Sequence, residues 1–350
     1  MRSALTYIVL GLGVFAVALG LVLRFYTYPQ LAKMPLDLES FSVATGTADR
    51  ALVFVANGPD EHVPEFREDL PITSTTYVTP DLTAPEMAEG GDVAAYIEAS
   101  RITVTGNSDI GALSASVRQL CVDRHTGEAV APCHTQFTQE TTEEEPESPD
   151  AEAGRVYADD DDDVQQPGFG FKLPFDTEKR TYQWYDLRIN DTVDLTFQQD
   201  DTVKGLDVYQ FAYQVAPQQV GSREVPGSML GEPDSPSIEA DVFYEANRTM
   251  WIDPVTGAVI DVKQSVTQKL VQDGQDYADG EVVFDGTLTL DDETVANNVA
   301  DAEESGGKLW LLTTLPIILW IVGGVLIVGA AVLLVRSREP RDETGNHRRD

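Results

Sequence analysis

Two uncharged apolar stretches bracket the chain, Ala4 to Leu23 and Leu309 to Val335, and everything between them must fold on one side of a membrane. Each is long enough to cross roughly 30 Å of hydrocarbon as a helix. The first also reads as a secretory leader, but it is long for one. "LRFYTYPQLAK" after it offers bulky residues where a signal peptidase takes small ones, so an uncleaved anchor over 1–23 is expected. The tail 336–350 carries Arg336, Arg338, Arg341, Arg348 and Arg349, and Arg2 precedes the first span. Lysine and arginine near span ends stay cytoplasmic. Arg24 and Lys33 weaken the signal of the first span, so the tail sets the orientation. The expectation is a two-pass plasma-membrane protein with both termini inside and residues 24–308 outside.

That outer segment holds 18 Lys and Arg against 55 Asp and Glu, a net charge of −37. Such a surface repels nucleic acid and anionic headgroups, which excludes a nucleic-acid partner. Solubilising acidity is the plain reading; attraction of divalent cations or basic partners is the sharper one. Cys121 and Cys133 are the two cysteines, separated by the turn-like "VDRHTGEAVAP". In an oxidising compartment this reads as a disulfide stapling a hairpin.

Alternation of apolar and polar residues dominates the outer segment and argues for half-buried antiparallel strands. Val193, Leu195 and Phe197 alternate, as do Tyr209, Phe211, Tyr213 and Val215, and Val282, Phe284, Leu288 and Leu290. In "AVIDVKQSVTQKLV", Ile260, Val262, Val266 and Leu270 share one face, interrupted by Gln264. "VDRHTGEAV" (122–130) and "IDPVTGAVI" (252–260) share Asp, then Thr-Gly, then an apolar pair, which predicts two similar hairpin turns and hints at two related halves. The fold class expected is mainly β: an antiparallel ectodomain between two transmembrane helices.

Between the halves, residues 138–166 carry twelve acidic residues and one Arg, and read as a disordered insertion. "DDDDD" does not make an EF-hand, because Val164 stands where the loop needs Gly and Gly170 where it needs Glu, so no metal is expected. "DDETVANNVADAEESGGKL" predicts a juxtamembrane helix over 291–304, ended by Gly306–Gly307 and followed by the span 309–335.

Catalytic signatures are missing from the sequence. There is no G-x-S-x-G, H-E-x-x-H, Walker loop or G-x-G-x-x-G, and the outer segment has only His62, His125 and His134. Paired carboxylates for glycoside chemistry are compatible with the composition, but nothing singles out a pair. The expectation is a protein that is not an enzyme and needs no cofactor. In "GFGFKLPFDTEKRTYQWYD", Phe169, Phe171, Phe175, Tyr182, Trp184 and Tyr185 either return the chain to its core or line a ligand pocket. Lys172, Asp176, Glu178, Lys179 and Arg180 could knot into local ion pairs. Gly323, Gly324 and Gly329 favour close helix packing in the second span.

Taken in order, "RFYTYPQLAKMPLDL", "VDRHTGEAV", "FKLPFDTEKRTYQWYD", "GLDVYQFAY", "WIDPVTGAVIDV" and "LWLLTTLPIILWIVGG" resemble the porin PorA family, two-span envelope proteins of mycolic-acid-containing actinobacteria. The resemblance covers nearly the whole chain. It implies a place at the outer face of the plasma membrane and a part in assembling mycolate glycolipids or lipoglycans. A glycolipid or lipoglycan ligand and a membrane-embedded lipid exporter are the partners it suggests, with a channel subunit as the alternative that the family name carries.

Overall fold

The computed structural model describes residues 2–36, 38–56, 62–88, 91–133, 135–141, 156–157 and 166–338. They form two compact units: a helical one, up to Ala32 and from Ser305 onward, and a β-rich one from Lys33 to Glu304.

In the helical unit, α1 (Arg2–Val22) runs into a π-helical turn (Leu23–Thr27) and then α2 (Tyr28–Leu31), so the N-terminal helical stretch outlasts the expected span by eight residues. α3 spans Asp292–Arg338 and supplies the second apolar helix. The predicted helix end at Gly306–Gly307 does not occur. A terminating glycine takes the left-handed conformation, and neither of these does, so the helix continues at the modest cost of two poor helix formers. Gly13 and Gly323 let α1 and α3 touch: a Cβ on Gly13 would lie 2.9 Å from the Gly323 carbonyl oxygen. Gly20 accommodates the Trp320 indole, whose ring stacks at 6.3 Å on Phe25. Gly324 and Gly329 meet no other atom in this way. Small residues thus serve contact between the two spans of one chain.

The β-rich unit contains twelve strands among the described residues: β1 (Ser40–Ala56), β2 (His62–Pro80), β3 (Val93–Val104), β4 (Ser114–Asp123), β5 (Phe137–Thr141), β6 (Val156–Tyr157), β7 (Tyr182–Asp186), β8 (Asp191–Val203), β9 (Leu206–Val225), β10 (Ile238–Ile252), β11 (Val259–Gln272) and β12 (Glu281–Leu290). Every ladder is antiparallel, and the order is β6-β5-β4-β3-β2-β1-β12-β11-β10-β9-β8-β7. Apart from β6 and β7, which stand at the two ends, each strand pairs with its neighbours in sequence, and β1 pairs with β12 to join the two halves. Register breaks at Ala48/Arg50, Trp251/Ile252, Tyr244/Ala246, Gln268/Lys269 and Phe197/Gln199 are the bulges that bend such a sheet.

The two ends of the sheet are stitched together. Phe169 bridges antiparallel to Glu128, after β4, and parallel to Trp184 on β7. Arg188, after β7, donates to the Ser114 hydroxyl on β4 at 2.9 Å. The strap Gln166–Pro174 thus closes a rolled sheet.

Both Thr-Gly turns form as expected, after β4 and after β10, the fourth strand of each six-strand half. Asp123 Oδ1 accepts from the His125 and Thr126 amides, and Asp253 Oδ2 from the Thr256 amide and hydroxyl. Gly127 and Gly257 take φ of 77° and 74°, as a residue closing such a turn must. Cys121 and Cys133 are bonded. The acidic insertion is shorter than 138–166. Thr138–Thr141 extend β5, Val156 and Tyr157 form β6, and Gln166 is 1% exposed, its amide donating to the Gln119 carbonyl. Residues 142–155 and 158–165, including Asp159–Asp163, lie outside the described residues, as does His134.

Candidate functional site

The register of the sheet fixes what each face shows, because residues paired across neighbouring strands point the same way. One rung crosses eight strands as Thr103, Thr73, Thr45, Thr289, Lys263, Thr249, Ala212 and Thr196. This is the solvent face, and it is polar. The adjacent rung on the opposite face reads Val104, Ile72, Gly46, Leu288, Gln264, Arg248 and Tyr213. It passes from aliphatic to charged within one circuit.

The polar end of that rung belongs to a cluster. Arg248 donates to Gln264 Oε1 at 2.6 Å and lies over the Tyr213 ring at 5.5 Å. Asp186 is 3% exposed and accepts from the Tyr213 hydroxyl at 2.9 Å, the Tyr244 hydroxyl at 3.5 Å and the Arg188 amide at 2.9 Å. Burial, opposed by Arg248 and helped by Asp186, pushes the Tyr213 hydroxyl far above its usual range, and burial with Asp186 raises Tyr244 likewise. Both therefore stay protonated and donate. Arg248 also feels the charge of Glu98 on β3, several strands away, which only the rolled sheet can bring near. Glu98 in turn accepts from Arg118 at 3.0 Å, and Arg118, 5% exposed, also donates to the Gly170 carbonyl at 3.0 Å.

Arg223 feels Arg188: burial first, then that neighbouring charge, lowers its affinity for the proton. The Nε atoms of Arg118, Arg223 and Arg248 are buried without a hydrogen-bond partner. Burying charge is costly unless it is paired and hydrogen-bonded, so these three guanidinium groups occupy unusual positions.

The sequence missed this cluster. Gln264, a polar residue interrupting the apolar face of β11, was its signal: it stands opposite Arg248. Arg248 itself shares the parity of Tyr244, Ala246 and Met250, all buried.

Of the aromatics expected to be core or ligand platform, Phe169, Tyr182 and Trp184 are buried in one cluster with Leu173, Leu195, Phe211, Tyr213 and Tyr244. Phe169 meets Tyr182 edge-on at 5.5 Å. Tyr185 is buried and its hydroxyl bonds Asn190. Phe171 is half-buried between Tyr96 and the Arg118 guanidinium, 5.2 Å from its ring. Phe175 is half-buried under Lys172, whose Nζ stands 3.4 Å from the ring centre. The expected ion-pair knot disperses: Arg180 pairs with Glu178, Lys179 reaches Asp200 on β8, and Lys172 is buried with its Nζ unbonded. Burial, partly offset by Asp253, pulls the Lys172 amine down to about 7.

Two other places offer less. Glu86 lies beside Cys121 and Cys133, but sulfurs joined in a disulfide do not ligate a metal. An open groove of Asp200, Asp201, Asp207, Tyr209 and Pro254 is acidic, with Asp200 held by Lys179 and Asp201 by the Trp251 indole at 2.8 Å.

A family model described as "Porin PorA" matches residues 5–332. Among curated proteins, a "Porin PorA" of Corynebacterium resistens is 22% identical over 243 residues, 50% of this chain and 58% of that protein. A "Porin PorA" of Corynebacterium amycolatum is 22% identical over 120 residues, 27% of this chain and 31% of that protein. The chain thus spans well under two thirds of either relative.

Proposed function

The chain belongs to the porin PorA family, and from that premise we propose that it is a non-enzymatic, membrane-anchored envelope protein whose rolled sheet holds an amphiphile. A mycolate glycolipid or lipoglycan is the ligand class, and assistance in its assembly or transport, directly or by docking a membrane-embedded exporter, is the role. Membrane character follows from the family and from two helices long and apolar enough to cross. The observation that carries the reading is the contrast between the rungs. The outer one is threonine and lysine, which suits water; the inner one runs from Val104, Ile72 and Leu288 to Gln264 and Arg248, which suits a molecule with a tail and a head. The disulfide supports an extracytoplasmic place for this unit, with both termini inside.

Native mass spectrometry of the full-length protein, released from its own envelope in mild detergent, tests the reading. A co-purifying amphiphile of defined mass is expected; a lipid-free spectrum, together with no uptake from envelope extracts, would overturn it. An impermeant maleimide should label Ser148→Cys on intact cells, as an outer position requires.

The relatives' name favours a channel as the second reading. A lipid-facing barrel needs an apolar outer band, and the threonine rung is not one, so conduction would have to run between helices of several copies. Single-channel steps from reconstituted full-length protein would favour it over ligand carriage.

A further inference from the structure

The charge rule that places the termini inside leaves two cations after the first span, Arg24 and Lys33, unexplained. Lys33 meets a carboxylate, Asp92, at 2.7 Å. Arg24, in the π-helical turn after α1, does not. Its Nη1 is buried with no hydrogen-bond partner, and its guanidinium makes no ion pair among the described residues. The helical unit itself offers no counter-ion, because its described residues, 2–32 and 305–338, include neither Asp nor Glu.

Contacts between the two helices fix the depth of Arg24. Gly13 faces Gly323 and Ile327, and Gly20, seven residues on, faces Pro316 and Trp320, seven residues back. Carried four residues further, this antiparallel match sets Arg24 level with about Leu312 to Pro316, roughly 5–10 Å inside the apolar stretch that begins at Leu309. A charge at such a depth is costly unless an anion meets it. The guanidinium is turned toward the nearer surface: it lies over the Tyr28 ring, one helical turn onward, at 4.8 Å. Phe25 and Tyr26 beside it are each 69% exposed, and Trp310 on α3 is 58% exposed. Aromatic side chains left open at the ends of apolar helices sit where headgroups meet hydrocarbon. A role confined to helix packing would need no charge and would cover those rings.

We propose that Arg24 holds the phosphate of a phospholipid in the leaflet at which both spans join the β-rich unit, with Phe25, Tyr26 and Trp310 flanking the glycerol backbone of that lipid. The planar guanidinium fork matches two phosphate oxygens, and a long side chain reaches from the apolar layer to the level where a leaflet carries its phosphates. The site is separate from the enclosure of an amphiphile by the sheet and depends only on the two helices crossing a bilayer.

Full-length protein in mild detergent is titrated with dioleoyl phosphatidylglycerol and, separately, with dioleoylglycerol, which has the same chains and no phosphate. Native mass spectrometry reads the affinity for the first lipid bound. Arg24→Gln is compared with Arg24→Lys, which keeps the charge, and with Arg336→Gln at the other end of the second apolar stretch. The expected result is phosphatidylglycerol bound more tightly than dioleoylglycerol, by roughly tenfold or more, with that preference lost in Arg24→Gln, partly kept in Arg24→Lys and unchanged in Arg336→Gln. Equal binding of the two lipids by the wild-type protein overturns the site, and so does phosphatidylglycerol binding that Arg24→Gln leaves untouched. Equal weakening in Arg24→Gln and Arg336→Gln means diffuse attraction of charge and overturns it as well.

Discussion

The two Thr-Gly turns are one local design in two settings. After β4, Asp123 gathers two backbone amides, and Gly127 N–H bonds the Asp123 carbonyl at 2.7 Å. After β10, Asp253 does the same, and Gly257 N–H bonds the Asp253 carbonyl at 2.8 Å. The strap passes between them, and there they part. A Cβ on Gly257 would fall 1.9 Å from the Leu173 carbonyl oxygen, which is backbone; one on Gly127 would fall 2.9 Å from Lys172 Cγ, which can swing away. The first half instead carries the disulfide. Both turns hold the strap, through Phe169 and Gly168 at the first and Leu173 at the second, but backbone crowds only the second, while the first half adds a covalent link.

Substitution should expose that asymmetry. Gly257→Ala must move backbone and hold a left-handed φ, so unfolding of the full-length protein in denaturant should show a loss of about 4 kcal/mol or more, against roughly 1–2 kcal/mol for Gly127→Ala. Equal losses would mean that the strap crowds the two turns alike. Replacing Cys121 and Cys133 together by Ala should cost about 3 kcal/mol by loop entropy. Hydrogen exchange should place that loss in β4 and β5 rather than β10 and β11; a uniform loss would erase the distinction between the halves.

Asp253 is 2% exposed and serves three donors, so Asp253→Ala should cost about 2 kcal/mol and Asp123→Ala nearer 1. The last test varies pH rather than sequence and concerns Lys172, seated between the turns. Its folded pKa of about 7 lies below the ordinary 10.5, so between those values the unfolded chain binds the extra proton and stability rises with pH. The wild-type protein should gain up to about 1.4 kcal/mol per pH unit across that window relative to Lys172→Met. Parallel pH profiles would place Lys172 in water.

Strand positions and both turns were legible because they are written in local patterns: alternation around Phe211 and Leu288, and an Asp-x-x-Thr-Gly pair. The spans were legible from composition. Closure of the sheet was not, since the bonds that make it, Phe169 to Glu128 and Arg188 to Ser114, join residues whose local sequence says nothing of each other. The arginine cluster escaped for the same reason. On any one strand Arg118 or Arg248 looks like a surface charge; only the roll of twelve strands turns that face inward. The acidic run was read too broadly because its ends, Thr138 and Gln166, resemble its middle in composition yet pair with β4. Gly306–Gly307 misled because glycine permits a helix end without imposing one.

The strand order has a consequence for biogenesis. Ten of the eleven ladders join strands adjacent in sequence and can zip as the chain emerges. The eleventh joins Ala44 to Leu290. At about 5–20 residues per second of synthesis, β1 waits on the order of ten to fifty seconds for its last partner. During that interval its edge is open to any other strand. Because β12 directly precedes α3, β1 can pair with it only once nearly the whole β-rich unit has been made, and crowding of nascent copies before that moment is when this fold is most exposed to mispairing.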